Sequence, residues 1–145
     1  MALTPEERTK LAHFVRRTGF GARPGEWDEY TRIGLDATTQ KFLHPETTPD
    51  NLEELLETIG GNFVDFDTLE GVRAWWIFRM AQTHRPLEEK MTLFWHNHFA
   101  TANYKVNNPR WMANQIETFR KHALGNFRSL LLEICLLYTS DAADE

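Results

Sequence analysis

The chain has 145 residues, enough for one domain, and its 41% hydrophobic and 12% aromatic content is enough to build a packed core. A formal net charge of −5 with no basic stripe argues against nucleic acid as a partner. No run of about eighteen apolar residues spans a bilayer, the first ten residues lack an apolar signal core, and one cysteine excludes a disulfide framework or a CxxC metal motif, so the expectation is a soluble, cytoplasmic, globular protein.

Thr4-Pro5-Glu6-Glu7 predicts a helix start: Thr4 caps, Pro5 suits the first helical position and Glu7 completes a capping box. Leu11, Phe14 and Val15 share one face, with Thr9, His13 and Arg17 on another, and Gly19 stops the helix. The stretch from Arg16 to Glu26 holds three arginines among three glycines. Such a turn suits an anion; the plainer expectation is a helix C-cap, with Phe20 plugging the core and the arginines set against the last carbonyls. Residues 24–32 and 36–43 read as two helices separated at Gly34, the first with Trp27 and Tyr30 on its apolar side. Thr48-Pro49 predicts another cap opening residues 50–59, where Leu52, Leu55, Leu56 and Ile59 follow helical spacing before Gly60-Gly61 breaks it.

Phe63, Val64 and Phe66 form a short apolar loop expected to fold onto the core. Asp67 is expected to cap a helix over residues 68–83. Val72, Trp75, Trp76, Ile77, Phe78 and Met80 leave that helix almost no polar side, which predicts deep burial; its odd member, Arg79, is expected to snorkel or to pair with a carboxylate. His84-Arg85-Pro86 restarts the chain into a central helix over 86–100. There Leu87, Met91, Phe94, Trp95 and His98 lie on one side and Glu88, Thr92 and His96 on another. After a polar loop to Asn107, Asn108-Pro109 opens a helix with a Met112, Ile116, Phe119, Ala123 stripe and an exposed Glu117–Lys121 pair. Gly125 ends it, Asn126 caps the last helix, and Phe127, Leu130, Leu131 and Ile134 begin its stripe. The sum is an all-α domain of about seven helices in a bundle-like or orthogonal array, joined by short Gly/Pro turns.

Trp95-His96-Asn97-His98-Phe99 concentrates the candidate chemistry. On a helix, i and i+2 point about 200° apart, so His96 and His98 cannot share one metal ion by themselves. We therefore assign no metal ligand set. Imidazoles titrate near neutral pH and can act as general acids or bases. His96, His98 and His122 are the catalytic candidates, with Arg17, Arg120 and Asn97 as ligand-binding candidates. The plainer alternative is that His98 is a buried core residue, His96 lines a groove and Arg120 complements a helix C-terminus. No GxSxG, HExxH, P-loop or GxGxxG is present, so neither a reaction nor a cofactor follows.

Residues 135–145, Cys-Leu-Leu-Tyr-Thr-Ser-Asp-Ala-Ala-Asp-Glu, resemble the translation of a transposase-type sequencing adapter, which places the native boundary at Ile134. Setting aside Asp141, Asp144 and Glu145 leaves a charge of −2. Three stretches carry a second resemblance: Arg16 to Glu26 (RRTGFGARPGE), Arg85 to Thr101 (RPLEEKMTLFWHNHFAT) and Phe119 to Phe127 (FRKHALGNF). Together they resemble the bacterial family called domain of unknown function 1800, over about Leu11 to Ile134. The resemblance implies a mostly helical protein without an assigned reaction, several hundred residues long. This chain would be its N-terminal part, and the missing C-terminal part its first expected partner.

Three functional readings follow. The lead is a groove lined by Arg17, His96, His98, Arg120 and His122 that forms half of a small-molecule or catalytic site. The others are a non-enzymatic helical scaffold or binding module with structural histidines, and a metal-dependent hydrolase.

Overall fold

The computed structural model describes residues 3–50, 52–59, 64–99 and 108–137, without the side chains of Glu53 and Ile59. Phe63, the 101–107 loop and the end of the tail lie outside these residues. Seven α-helices and one 3₁₀ turn make up the described fold: α1 (Pro5–Thr18), α2 (Glu26–Leu43), the turn Pro45–Thr47, α3 (Leu52–Ile59), α4 (Leu69–Gln82), α5 (Pro86–Phe99), α6 (Pro109–Lys121) and α7 (Phe127–Leu137). Among the described residues there is no strand, as expected of an all-α domain.

The helix starts follow from local chemistry. Thr4 accepts from the Glu7 amide while the Glu7 carboxylate takes the Thr4 amide, a complete capping box. Asn108 accepts from the Trp111 amide ahead of Pro109, and Asn126 accepts from the amides of Arg128 and Ser129. Thr68, rather than Asp67, caps α4, accepting from the Gly71 amide; Asp67 instead reaches the Arg110 guanidinium. Gly71 is required there, because a Cβ would stand 1.8 Å from the Asp65 carbonyl oxygen. The two helices expected around Gly34 form one, broken at that residue with φ 84° and ψ 176°, a region open only to glycine. Thr48-Pro49 does not open α3, which starts two residues later than expected, at Leu52; Asp50 is drawn away to Arg79.

Three apolar clusters hold the helices. Leu11, Val15, Tyr30 and Phe42 join α1 to α2. Val72, Trp75, Ala113 and Ile116 join α4 to α6, with Val64 and Phe66 folded onto them as expected of that loop. Phe119, Leu130 and Ile134 join α6 to α7, with Trp95 and Phe99 of α5 against them. Helix α5 is the hub, packing on α1, α2, α4 and α6.

One expectation about burial is overturned, and α5 buries a face that its apolar side chains do not mark. Helix α4 is not buried all round: Ile77 is 62% exposed while Val72, Trp75 and Arg79 face inward. On α5 the inward stripe is Glu89 and Thr92, not the side carrying Phe94, which is 51% exposed. The physical reason is the same in both. Two arginines from neighbouring helices need a carboxylate between them, and that need sets the rotation of α5 about its axis.

Candidate functional site

Glu89 lies at the centre of this arrangement and is 1% exposed. One of its oxygens, Oε1, accepts from Arg79 Nε of α4 at 3.2 Å and from Arg120 Nε of α6. Oε2 lies 3.5 Å from Arg120 Nη2. Arg79 continues to Asp50, with Nη2 donating at 2.7 Å, and Arg120 continues to Glu117, whose Oε2 is 2.6 Å from Nη1. The result is a five-member chain of alternating charge running Asp50, Arg79, Glu89, Arg120, Glu117. Both guanidiniums lie over the Trp75 ring, at 6.0 Å for Arg79 and 5.3 Å for Arg120, adding cation–π attraction on a desolvated surface. Burial alone would ease the proton off Arg120, but Glu89 and Glu117 outweigh it and raise its pKa. Next to the seam, burial raises the Glu88 carboxyl, with Arg85 opposing.

The sequence-predicted candidates scatter around this seam. Arg120 is inside it and only 6% exposed. His96 is half-buried, with its ring edge-on to Trp76 at 4.9 Å and to Phe119 at 6.3 Å. Its Nδ1 is buried without a hydrogen-bond partner among the described residues, as is Trp76 Nε1. Burial lowers the His96 pKa and keeps the ring neutral at pH 7. His98 is exposed, opposite to the core role considered for it, and stacks on Phe94 at 6.0 Å. The 200° divergence expected of the two imidazoles is what sends one inward and the other out. Asn97 is also exposed. His122 is half-buried at the end of α6, 3.0 Å from the Glu133 carboxylate of α7. Glu133 also takes Lys121, the residue expected to pair with Glu117. Arg17 is exposed on the last turn of α1, with no hydrogen bond or ion pair to the other candidates among the described residues.

The Arg16 to Glu26 stretch works as a clamp. Arg23 donates to Glu26 from Nε at 3.1 Å and from Nη2 at 2.6 Å, to the Gln82 carbonyl from Nη1, and contacts His84 Nδ1 at 2.7 Å. Its charge is therefore committed to the C-terminal end of α4. Phe20 does not plug the core; it is 43% exposed, with the Lys90 ammonium 4.8 Å from its ring centre. Among the described residues no three His, Cys, Asp or Glu side chains are grouped to hold a metal ion, and no helix is long and apolar enough to cross a membrane.

Sequence reasoning missed Glu89, the residue around which everything is arranged. A signal existed: Glu89, Thr92 and His96 recur at helical spacing, and Arg79 called for a carboxylate.

These features define an all-helical protein whose central helix is fastened by buried charges together with ring and aliphatic contacts at its two ends. The family described as "Protein of unknown function (DUF1800)" matches residues 13–137, most of the chain, and the chain belongs to it. No curated protein and no solved structure matches it.

Proposed function

We propose that the chain is a helical binding module in a cytoplasmic protein. The Glu89 seam fastens α4, α5 and α6, and the far end of α5 is offered to a partner, in the first place a C-terminal part of the same polypeptide. One observation carries this reading: α5 divides its residues sharply. Glu89 and Thr92 are 1% and 0% exposed, while Phe94 is 51% exposed and Asn97 and His98 lie with it outside. Phe94, Trp95, His98 and Phe127 form a continuous ring cluster, with Phe94–Trp95 at 4.9 Å and Trp95–Phe127 at 5.7 Å. Phe127 is itself 49% exposed. Aromatic surface of this kind marks interaction sites. Arg120, tied to two carboxylates, serves the framework in this reading rather than a ligand.

The test uses Phe94→Ser and His98→Ala. In the 145-residue chain both are expected to leave the unfolding midpoint unchanged and to reduce binding of the fluorescent probe ANS. In the full-length gene product they are expected to lower the midpoint, because the partner segment rests on them. Unchanged midpoints in both settings would count against the reading.

A second reading, the ligand groove, is favoured by His96 Nδ1 and Trp76 Nε1, buried polar atoms without hydrogen-bond partners among the described residues on two rings whose centres lie 4.9 Å apart. Together they offer an acceptor or donor and a donor to a small polar molecule. His96→Leu is expected to abolish saturable binding of such a molecule while keeping the fold.

A further inference from the structure

A cleft of about 290 Å³ adjoins the Glu117 end of the seam, lined by Phe66, Trp75, Arg110, Ala113, Asn114 and Glu117. One wall is aromatic: Phe66 and Trp75 meet edge to face at 5.4 Å. The opposite wall is one face of α6, where Arg110, Ala113, Asn114 and Glu117 recur at helical spacing. Trp75 and Ala113 are packed on each other at the floor, and the half-buried Phe66 supplies the accessible ring surface. An apolar body lies on that surface, so the charge at either end decides what that body carries.

Charge favours a cation. Arg110 is already held by Asp67 and feels Asp65 as well. Glu117 shares Arg120 with Glu89, which shares Arg79 with Asp50. In this connected set the carboxylates Asp50, Asp65, Asp67, Glu89 and Glu117 outnumber the guanidiniums Arg79, Arg110 and Arg120 by two. An anion would have to displace Asp67 and enter a negative field. Glu117 is 51% exposed and touches Arg120 through Oε2, and a carboxylate accepts from more than one donor. Asn114 stands one turn before it, able to present its amide oxygen to the same donor.

We propose that this cleft binds a small arylalkylamine, with its ammonium on Glu117 and its ring on the open face of Phe66. The site is separate from the α5 face and does not depend on that face having a partner. The test is an amide-shift titration of the isotope-labelled chain, read at Ala113 and Asn114, with 2-phenylethylamine as probe. 3-Phenylpropionate and 2-phenylethanol carry the same ring with the opposite charge or none. Saturable shifts with the amine alone are expected. Glu117→Gln, at an exposed site, is expected to weaken binding about tenfold or more, as losing a charged hydrogen-bond acceptor does. Arg110→Gln and Asn114→Asp are expected to strengthen it about two- to fivefold, the scale of partly screened charges. Thermal melts confirm that each variant folds. Equal binding of the propionate or the alcohol, no saturable shift with the amine, or weaker binding by Arg110→Gln and Asn114→Asp would overturn the proposal.

Discussion

The α1–α2 end of the molecule is held by apolar contacts, whereas the α4–α6 end adds a buried charge seam to its apolar cluster. At the first, Leu11, Val15, Tyr30 and Phe42 pack with Phe14 on Phe42 at 5.4 Å and Tyr30 edge-on to Phe42 at 5.5 Å. Those contacts are non-directional and tolerate small shifts. At the second, the inward residues of α5 are Glu89 and Thr92, and the contacts are directional charges with little water to screen them. The apolar end fixes that helices pack. The charged end fixes how α5 is rotated, and so which of its imidazoles faces inward.

This contrast sets the order of expected mutational effects. Glu89→Ala should be the most damaging single change, costing about 3–5 kcal/mol, because it strands two buried guanidiniums; urea unfolding followed by circular dichroism measures it. Leu11→Ala, at a fully buried site of the apolar end, should cost about 3 kcal/mol through lost transfer energy and a cavity. If the two values came out reversed by more than 1 kcal/mol or so, the seam would be only a passive filler. Asn108→Ala removes the cap of α6 and should cost about 1 kcal/mol in the same assay.

The smallest effect is a pH dependence. Burial lowers the His96 pKa from 6.5 in the folded state, so the unfolded chain takes up a proton first as pH falls. Stability linked to His96 is thus intact above about pH 6.5 and declines below it, toward the lower folded value. Thermal melts between about pH 7 and pH 5.5 should show the wild type losing more than His96→Leu. A parallel decline in both would mean that His96 is solvated.

Much of the fold was legible in the sequence because its signals are local. The Thr4–Glu7 box, the Asn108-Pro109 start and the Met112, Ile116, Phe119 stripe each need only a few neighbouring residues, and each stands as expected. The divergence of His96 and His98 was legible for the same reason. The seam was not, because Asp50, Arg79, Glu89, Glu117 and Arg120 are spread from residue 50 to residue 120 over several elements, and charge in a sequence ordinarily reads as surface. The seam anchored by Glu89 turns Phe94 and His98 outward, against the core role considered for His98. Ile77 was misjudged for a related reason: composition marked all of α4 as core, but its fully buried face is the one carrying Val72, Trp75 and Arg79, and Ile77 is 62% exposed.

The central claim is that Glu89 and Arg120 act as one unit joining α5 to α6. A double-mutant cycle with Glu89→Gln, Arg120→Met and both together, by urea unfolding, tests it most directly. The account predicts a coupling energy of about 2 kcal/mol or more, with the double variant far less damaged than the sum of the singles. Additive losses, with coupling below about 0.5 kcal/mol, would contradict it.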